Sequence, residues 1–518
     1  MNKSIFFKKE NLLAIILFFF SVFINQYYAG KGVSPHDSFS HFDSGYRILQ
    51  GEYPFNSYWI ISGPLIDYIQ SIFFYLFGTS WKSYVFHASF FNGIVTLATF
   101  FVLIKFKVKI IYSFLFSLLF GILAYPSSGT PFVDHHATFF SLLGIYCLML
   151  AIKTEKNYYW YLLPVFYIFG FLSKQVPTVY VGIISVLILI LYSLVKNNYK
   201  WIIPIFLSSS LLILFFGVVG FLYDIKFSSF IEQYIVYPRA IGSERFQNYE
   251  FNFSSVILQF KYIHISLIIL SFSYFWESFK YKKFIIKEDF IYFFIILLFT
   301  FSLIFHQMLT KNQIYIFFLI PIIVGFSFSQ ISKNKYLTYI IIIFCIFVTS
   351  KYHLRFNEER KFHDLNYTDL NMSLDAKLID NKLNSLKWIT PDDFKKKPAQ
   401  EIKLLVEVKD YLKKENNNFM LLTNYSFFSA MLEKKTYSTI RWYTGDGTDY
   451  PREKNKFHKS YKNLFIEVIK RNNIKIIYSI YPIKEPIITD YLNENCFIKS
   501  EITQLLTKYD LKKCNELN

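Results

Sequence analysis

The segment SPHDSFSHFDSGYRILQGEYPF gathers acidic, imidazole and aromatic side chains directly after the first long apolar run of the chain. Asp37 lies near its start, where a carboxylate could accept a proton from an attacking hydroxyl group. His36, His41 and Asp43 lie close enough in sequence to tune that carboxylate or to share a metal with it. Alternatively, Asp37 only caps a short amphipathic helix. The residues alone do not decide between these two interpretations.

A second acidic cluster stands at the start of the fourth apolar run, in the segment PSSGTPFVDHHATFF. It contains Asp134, His135 and His136. A carboxylate beside imidazoles can hold a divalent metal, so Asp37, Asp134 and His135 are the candidate metal ligands. The same residues could equally cap a helix and lie at its polar end. The sequence leaves the use of a metal open.

Four cations accompany these acidic segments. Lys174, in FLSKQVPT, stands between two apolar runs that leave almost no room for a connection. Arg239, Arg245 and Lys311 belong to the same predicted side of the membrane. Such cations could neutralise a lipid phosphate or extend to the head groups, and the phosphate role is favoured only for Lys174. Gln313, near Lys311, could line a substrate cavity or end a helix.

These residues would be positioned by a membrane-embedded bundle of helices. The chain has 518 residues, 53% of them hydrophobic, whereas a soluble domain has about 45–50%. Several runs exceed the roughly 18 apolar residues that cross a bilayer. The sequence predicts eleven spans, near 11–29, 83–104, 110–126, 134–152, 159–173, 176–195, 201–223, 262–279, 288–306, 313–331 and 336–350.

The distribution of cations predicts how these spans are oriented. With the N-terminus in the cytoplasm, the cytoplasmic segments hold 16 lysines in 38 residues, and the outer segments up to residue 312 hold nine Lys or Arg in 106. This asymmetry is typical of the positive-inside rule and places the region after the last span outside. The net charge of +18 therefore indicates topology and contact with anionic lipid, not a nucleic-acid partner.

The first outer loop, residues 30–82, is much longer than a plain connection, which is typical of a functional segment. It contains two amphipathic stretches, at 36–50 and 64–77, that we expect to form helices lying in the membrane interface. Together with the spans, the loop makes a predicted transmembrane module over residues 1–350.

The chain becomes polar and charged after this module. Residues 351–397 are predicted to be an irregular linker and residues 398–518 a soluble α/β domain. Cys496 and Cys514 could pair there in an oxidising compartment. Helical patterns near 398–415 and 457–473 alternate with strand-like runs near 419–423 and 474–480.

The motifs HDSFSHFDSGYRILQGEYPF, VDHHATFF, FLSKQVP and NQIYIFFLIP resemble those of the polytopic GT-C glycosyltransferases. This superfamily includes the protein O-mannosyltransferases, the aminoarabinose transferases of lipid A and the catalytic subunits of oligosaccharyltransferases. The resemblance covers about residues 1–350 and extends to the order of a multispan module followed by an extracytoplasmic α/β domain.

The resemblance implies transfer of a sugar from a polyprenyl-phosphate-linked donor to a glycan, lipid or protein acceptor at the outer face of a plasma or inner membrane. Asp37 and Asp134 match the family's acidic positions in the first two outer loops. Lys174 would steady the departing phosphate. Relatives often have a second acidic residue beside the first, but here Ser38 follows Asp37. Whether a metal is used, and whether Asp37 acts alone, therefore stays open.

The resemblance also suggests which residues would contact the substrate. Under this resemblance, His41, Asp43, Tyr58 and Gln313 would contact sugar or acceptor, although Tyr58 is equally suited to an interfacial aromatic belt. Direct attack by the acceptor would invert the anomeric centre. Two other classes stay open: a transporter or flippase of lipid-linked glycans, which would need no base, and a non-catalytic scaffold whose C-terminal domain binds a partner.

Overall fold

The computed structural model of the chain describes residues 9–247, 249, 251–280, 288–310, 315–331, 335–443, 448–481, 483, 486–514 and 517. Most of these residues are helical. The helices are α1 Lys9–Ala29, α2 Pro35–Ser38, α3 Phe42–Leu49, α4 Pro64–Phe77, α5 Trp81–Lys105, α6 Ile110–Leu123, α7 Val133–Thr154, α8 Asn157–Ser173, α9 Gln175–Lys196, α10 Ile202–Leu222, α11 Phe227–Phe230, α12 Tyr237–Gln247, α13 Lys261–Lys280, α14 Glu288–Thr310, α15 Leu319–Ile331, α16 Lys335–His353, α17 Pro398–Lys414, α18 Phe428–Leu432, α19 His458–Arg471 and α20 Pro486–Thr489. The strands are β1 Leu374–Asp375, β2 Lys387–Trp388, β3 Phe419–Leu422, β4 Ile476–Ile480, β5 Phe497–Glu501 and β6 Leu506–Leu511.

A helix occupies each of the eleven apolar runs. Within the described chain, eight helices are long and apolar enough to cross a bilayer: α1, α5, α6 with the turn that follows it, α7, α9, α10, α14 and α16 with the turns that follow it. The other three predicted spans correspond to α8, α13 and α15, and α8 is a continuous helix that contains Pro164. The structure thus confirms the helices and eight candidate spans, while the count of eleven remains a prediction.

The helices differ sharply in how much of their surface other helices cover. α7 packs against α8, α9 and α14, and nearly all of its side chains are buried. α1 packs against α5 and α6. By contrast, α10 is apolar around its whole circumference and yet buries only Pro204 and Ser208. An exposed apolar face of that extent is unfavourable in water and suits contact with lipid.

The two amphipathic stretches of the first outer loop are helical, as predicted. The first forms α2 and α3, and the second forms α4. Pro35 and Pro64 occupy the first turns of α2 and α4, where the missing proline N–H removes no helical hydrogen bond. Gly63, just before α4, has a φ of +71°, and a Cβ atom there would clash with His41 and Val133.

The C-terminal region contains a four-stranded mixed sheet in the order β3-β4-β6-β5. β3 and β4 are parallel, and the β4–β6 and β6–β5 pairs are antiparallel. The predicted helices near 398–415 and 457–473 correspond to α17 and α19, and the two strand-like runs to β3 and β4. Cys496 and Cys514, the pair suggested by the sequence, are joined by a disulfide.

Residues 351–397 are irregular, as predicted, but they are not a detached linker. They form short helical turns and the β1–β2 pair, and they pack on the first outer loop. The Lys387 amide donates to the Gly30 carbonyl, and the Gly32 amide donates to the Lys387 carbonyl. Buried side chains of this segment, of the first outer loop and of the C-terminal sheet region share one hydrophobic cluster. The three sequence-predicted units therefore pack as one body around the outer loops.

Candidate catalytic site

Asp37 lies in the first turn of α2, which begins at Pro35, after α1 has ended at Ala29. Its carboxylate pairs with the imidazole of His36, with 3.4 Å between Oδ2 and Nε2, and a third of the side chain is exposed. Within the described chain it makes no hydrogen bond that would tie it to a helix end. The structure therefore gives no support to the capping interpretation, and it leaves the carboxylate oxygens accessible.

Asp134 lies in the first turn of α7, where the positive end of the helix dipole favours a carboxylate. The ammonium of Lys174 donates to both carboxylate oxygens, at 2.8 and 2.7 Å. The Nε2 atom of His306 lies 2.8 Å from Oδ1. Asp134 and His306 are almost fully buried, whereas the Lys174 side chain is 18% exposed. We call these three residues the Asp134 cluster.

The cluster assembles because three helix ends meet. Asp134 begins α7, Lys174 is the single residue between α8 and α9, and His306 lies in the penultimate turn of α14. These helices pack against one another. Lys174 has extended backbone, with φ −160° and ψ 138°, so the chain reverses direction there. Lys174, the cation between two apolar runs, thus has Asp134 as a specific partner.

Asp37 lies within electrostatic reach of this cluster. Burial raises the pKa of the Asp37 carboxyl, the His36 imidazole lowers it, and the negative charges of Asp364 and Asp134 raise it further. A carboxylate with a raised pKa is a stronger base once it is deprotonated. The charge of Asp134 therefore acts on Asp37, although no direct contact joins the two acidic residues.

The predicted metal ligands are not brought together. His135 points away from Asp134, with its Nε2 atom 2.9 Å from the Ser127 hydroxyl and its ring stacked on Tyr315. Both oxygens of Asp134 already have partners. Among the described residues, no group of three His, Cys, Asp or Glu side chains has an arrangement suited to a metal ion. A metal remains an untested prediction, and this set of ligands gains no support.

Three residues predicted to contact substrate are buried, and two of them, Asp43 and His41, contact the C-terminal region. Asp43 accepts hydrogen bonds from the backbone amides of Ser429 and Ala430, each at 3.0 Å. His41 pairs with Asp67 at 2.6 Å, and the Tyr58 hydroxyl donates to the same carboxylate. These contacts hold the loop in place, and a substrate role for the three residues stays a prediction.

The described structure shows no contact between the Asp134 cluster and either Arg239 or Arg245. Arg239 and Arg245 lie on α12, and both are exposed. Lys311 and Gln313 lie outside the described residues. Lys174 is thus the one cation of the predicted set that the described structure places beside an acidic site residue.

Two residues that the sequence did not suggest connect the outer loops. Arg360 donates from its guanidinium to the carbonyl oxygens of Pro126 and Ser128, at 2.9 and 3.1 Å. His363 lies 2.8 Å from the Ser128 carbonyl and 3.3 Å from the Ser38 hydroxyl, beside Asp37. We call residues 354–367 the strap. Its sequence has the composition of an ordinary polar connection, so no sequence pattern distinguishes these two residues.

Three hollows in the described structure lie elsewhere on the molecule. Neither Asp37 nor Asp134 lines the cavities of about 790, 350 and 460 Å³. No family model matches the sequence, and no curated protein is significantly similar to it. The functional argument therefore depends on the residues themselves.

Proposed function

We propose that this chain is a membrane-embedded glycosyltransferase that moves a sugar from a polyprenyl-phosphate-linked donor to an acceptor at the outer face of the membrane. The observation that carries the proposal is the Asp134 cluster with Asp37 in electrostatic reach of it. An accessible carboxylate near a held cation is the minimal set for activating a hydroxyl and receiving a phosphate.

The bilayer placement is supported by the eight long apolar helices and by the exposed apolar surface of α10. The positive-inside pattern of the lysines supports a GT-C-like orientation, with the N-terminus in the cytoplasm and the loops bearing Asp37 and Asp134 outside. In that orientation both carboxylates lie at the ends of spans, near the depth of the head groups.

Asp37 is proposed as the general base. Its oxygens are accessible, and its raised pKa increases its affinity for the proton of an attacking hydroxyl. The acceptor oxygen forms the new glycosidic bond as the bond from the anomeric carbon to the phosphate breaks, and Asp37 takes the hydroxyl proton. A single displacement of this kind inverts the anomeric centre.

Lys174 is proposed to receive the phosphate of the donor. Part of its side chain is exposed, so a phosphate oxygen can approach the ammonium on the side that Asp134 does not occupy. Asp134 and His306 fix the position of that ammonium. Asp134 is therefore assigned as a positioning residue that acts through Lys174, in place of the direct catalytic role expected from the sequence.

The proposal is tested by reconstituting purified protein into vesicles with polyprenyl-phosphate sugars and an extract of candidate acceptors. We expect the wild type to release polyprenyl phosphate and Asp37→Asn to lose at least about 100-fold of the rate, as is typical when a general base is removed. Asp410→Asn, an exposed carboxylate on α17, is the matched control and should retain full activity.

The same vesicles separate the proposal from the transporter alternative. Movement of the intact lipid-linked sugar across the membrane without release of polyprenyl phosphate would favour a flippase. Full activity of Asp37→Asn would remove Asp37 from the mechanism. Preservation of fold in the variant is checked by size-exclusion chromatography and circular dichroism.

A further inference from the structure

A cavity of about 790 Å³ opens at the C-terminal end of α16, beside the strap. We call it the cationic cavity. It contains three cations, Lys351, Arg355 and Lys361, and one acidic residue, Glu359. Its other lining residues are Phe347, Ser350, Leu354, Asn366 and Tyr367. The cavity therefore has a net positive charge next to apolar side chains.

The charges of these cations are only partly balanced, by the single carboxylate of Glu359 in the same lining. Within the described part of the chain, none of the three makes an ion pair with a carboxylate. Lys351 instead lies over the ring of Tyr262, with 5.0 Å between Nζ and the ring centroid, and Arg355 lies over Phe356. Three cations and one carboxylate leave the cavity with a net positive charge, which favours an anionic ligand.

A second hollow, of about 460 Å³, lies on the adjoining surface between α1, α6 and α16. We call it the apolar groove. Its lining is dominated by the side chains of Phe20, Phe23, Ile24, Leu119 and Ile122. Ser350 lines both this groove and the cationic cavity. The two hollows therefore meet on α16, with positive charge at one side of the junction and apolar surface at the other.

We propose that the cationic cavity and the apolar groove together bind one anionic phospholipid of the surrounding bilayer. The phosphate of the head group contacts Lys351, Arg355 and Lys361, and an acyl chain lies in the groove past Ser350. The arrangement matches the two parts of such a lipid, since cations near a membrane surface attract anionic head groups and apolar grooves bury acyl chains.

The inference uses the bilayer placement of the proposed function but not its transfer reaction. It also gives the strap a second contact. Lys361 faces the cavity, while its neighbour Arg360 is buried against the carbonyl oxygens of residues 126–128. A bound lipid would hold the strap from outside as Arg360 holds it from inside.

The test is native mass spectrometry of the full-length protein. The protein is mixed in detergent with phosphatidylglycerol or with phosphatidylcholine, and the lipid that stays bound after release from the detergent is measured. We expect the wild type to retain phosphatidylglycerol preferentially. Replacing all three cations, in Lys351→Gln/Arg355→Gln/Lys361→Gln, should weaken this binding about 100-fold, since each cation near an anionic surface contributes about fivefold. The matched control is Lys403→Gln/Lys413→Gln/Lys414→Gln, which removes three exposed charges from α17 and should bind normally.

A further variant tests whether the groove takes part. Ser350→Trp would fill the exposed junction without disturbing a buried residue, so it should reduce retention of phosphatidylglycerol and leave binding of inorganic phosphate unchanged. Equal retention of the two phospholipids by the wild type would overturn the proposal, as would an equal loss in the α17 control. Suppose that Ser350→Trp binds phosphatidylglycerol normally and that inorganic phosphate displaces the lipid completely. The site would then bind phosphate without using the groove, which would also contradict the proposal.

Discussion

Asp134 shows how a single carboxylate can be kept in an apolar bundle. It is almost fully buried, and both of its oxygens accept hydrogen bonds from a cation or an imidazole. A buried charge is tolerated only when it is paired and hydrogen-bonded in this way. Asp37 differs, because among the described residues its carboxylate pairs with the His36 imidazole alone and a third of its side chain is exposed. Burial of Asp134 suits a positioning role, and the accessibility of Asp37 suits a reactive one.

The first prediction concerns the pair formed by Lys174 and Asp134. We expect Lys174→Met to lower the free energy of unfolding by about 3 kcal/mol, because the Asp134 charge would stay buried with only His306 as partner. Adding Asp134→Leu should recover part of that loss. Unfolding of the purified protein, followed by tryptophan fluorescence, measures both effects.

Lys226→Met is the control for this prediction, since Lys226 is exposed and its replacement should change the unfolding free energy by less than about 0.5 kcal/mol. The two residues would not be coupled if Asp134→Leu lowered the unfolding free energy of Lys174→Met by as much as it lowers that of the wild type.

At the scale of elements, the strap determines how the first two outer loops are related. Arg360 contacts the carbonyl oxygens of the second outer connection, and His363 bridges Ser128 to Ser38 beside Asp37. Carbonyl oxygens of a connection that is buried inside a protein need such donors. The strap therefore supplies hydrogen bonds that neither loop can supply for itself, and it keeps Asp37 and Asp134 in a fixed relation.

The second prediction follows from these contacts. Arg360→Gln should increase hydrogen exchange in residues 124–132 at least about tenfold, because the loss of two charge-assisted hydrogen bonds costs roughly 1.5–3 kcal/mol each. The mutation should also lower the transfer rate although Arg360 is not proposed to contact substrate. Exchange mass spectrometry of the full chain measures the first effect.

Lys377→Gln, an exposed cation in the same irregular region, is the matched control. Unchanged exchange in residues 124–132 of Arg360→Gln would mean that the strap does not stabilise the second outer connection.

At the scale of the whole molecule, the C-terminal region and the first outer loop pack as one unit. Arg441 contacts His41 and the Ser62 carbonyl, and the guanidinium of Arg47 donates to the Ser438 carbonyl. The Trp59 amide donates to the Thr439 carbonyl at 2.7 Å. Because these contacts are buried, the C-terminal region supports the loop that bears Asp37. It acts as a structural support for the first outer loop.

The third prediction uses Asp43, which lies in this interface. Burial raises the pKa of Asp43 to about 7, whereas an unfolded aspartate has a pKa of about 3.9. Between these values the folded state binds more protons, so the unfolding free energy should fall as pH rises from about 4 to 7. The fall is at most about 4 kcal/mol, at about 1.4 kcal/mol per pH unit.

Asp43→Asn cannot titrate and should remove this slope, with a lower starting stability because an amide accepts only one of the two backbone hydrogen bonds. Unfolding midpoints measured from pH 4 to pH 8 test the prediction. Asp410→Asn should keep the slope of the wild type. A slope of the same size in Asp43→Asn would assign the proton uptake to another group.

The sequence by itself determined which segments are helical and which residues were candidates for chemistry. Apolar runs of sufficient length specify helices locally, so all eleven were located, as were α17, α19, β3 and β4. The unusual types and positions of Asp37, Asp134 and Lys174 were also visible in the sequence. Each of these features depends on a short stretch of chain.

Only the tertiary structure decided which residues share a site. His306 reaches Asp134 across 172 positions of sequence, and Arg360 reaches Pro126 across 234. The sequence suggested Asp43 and His41 as substrate ligands, but the C-terminal region covers both side chains. Such contacts arise from how helices and loops pack, and packing is set by many weak interactions between distant segments that no local pattern records.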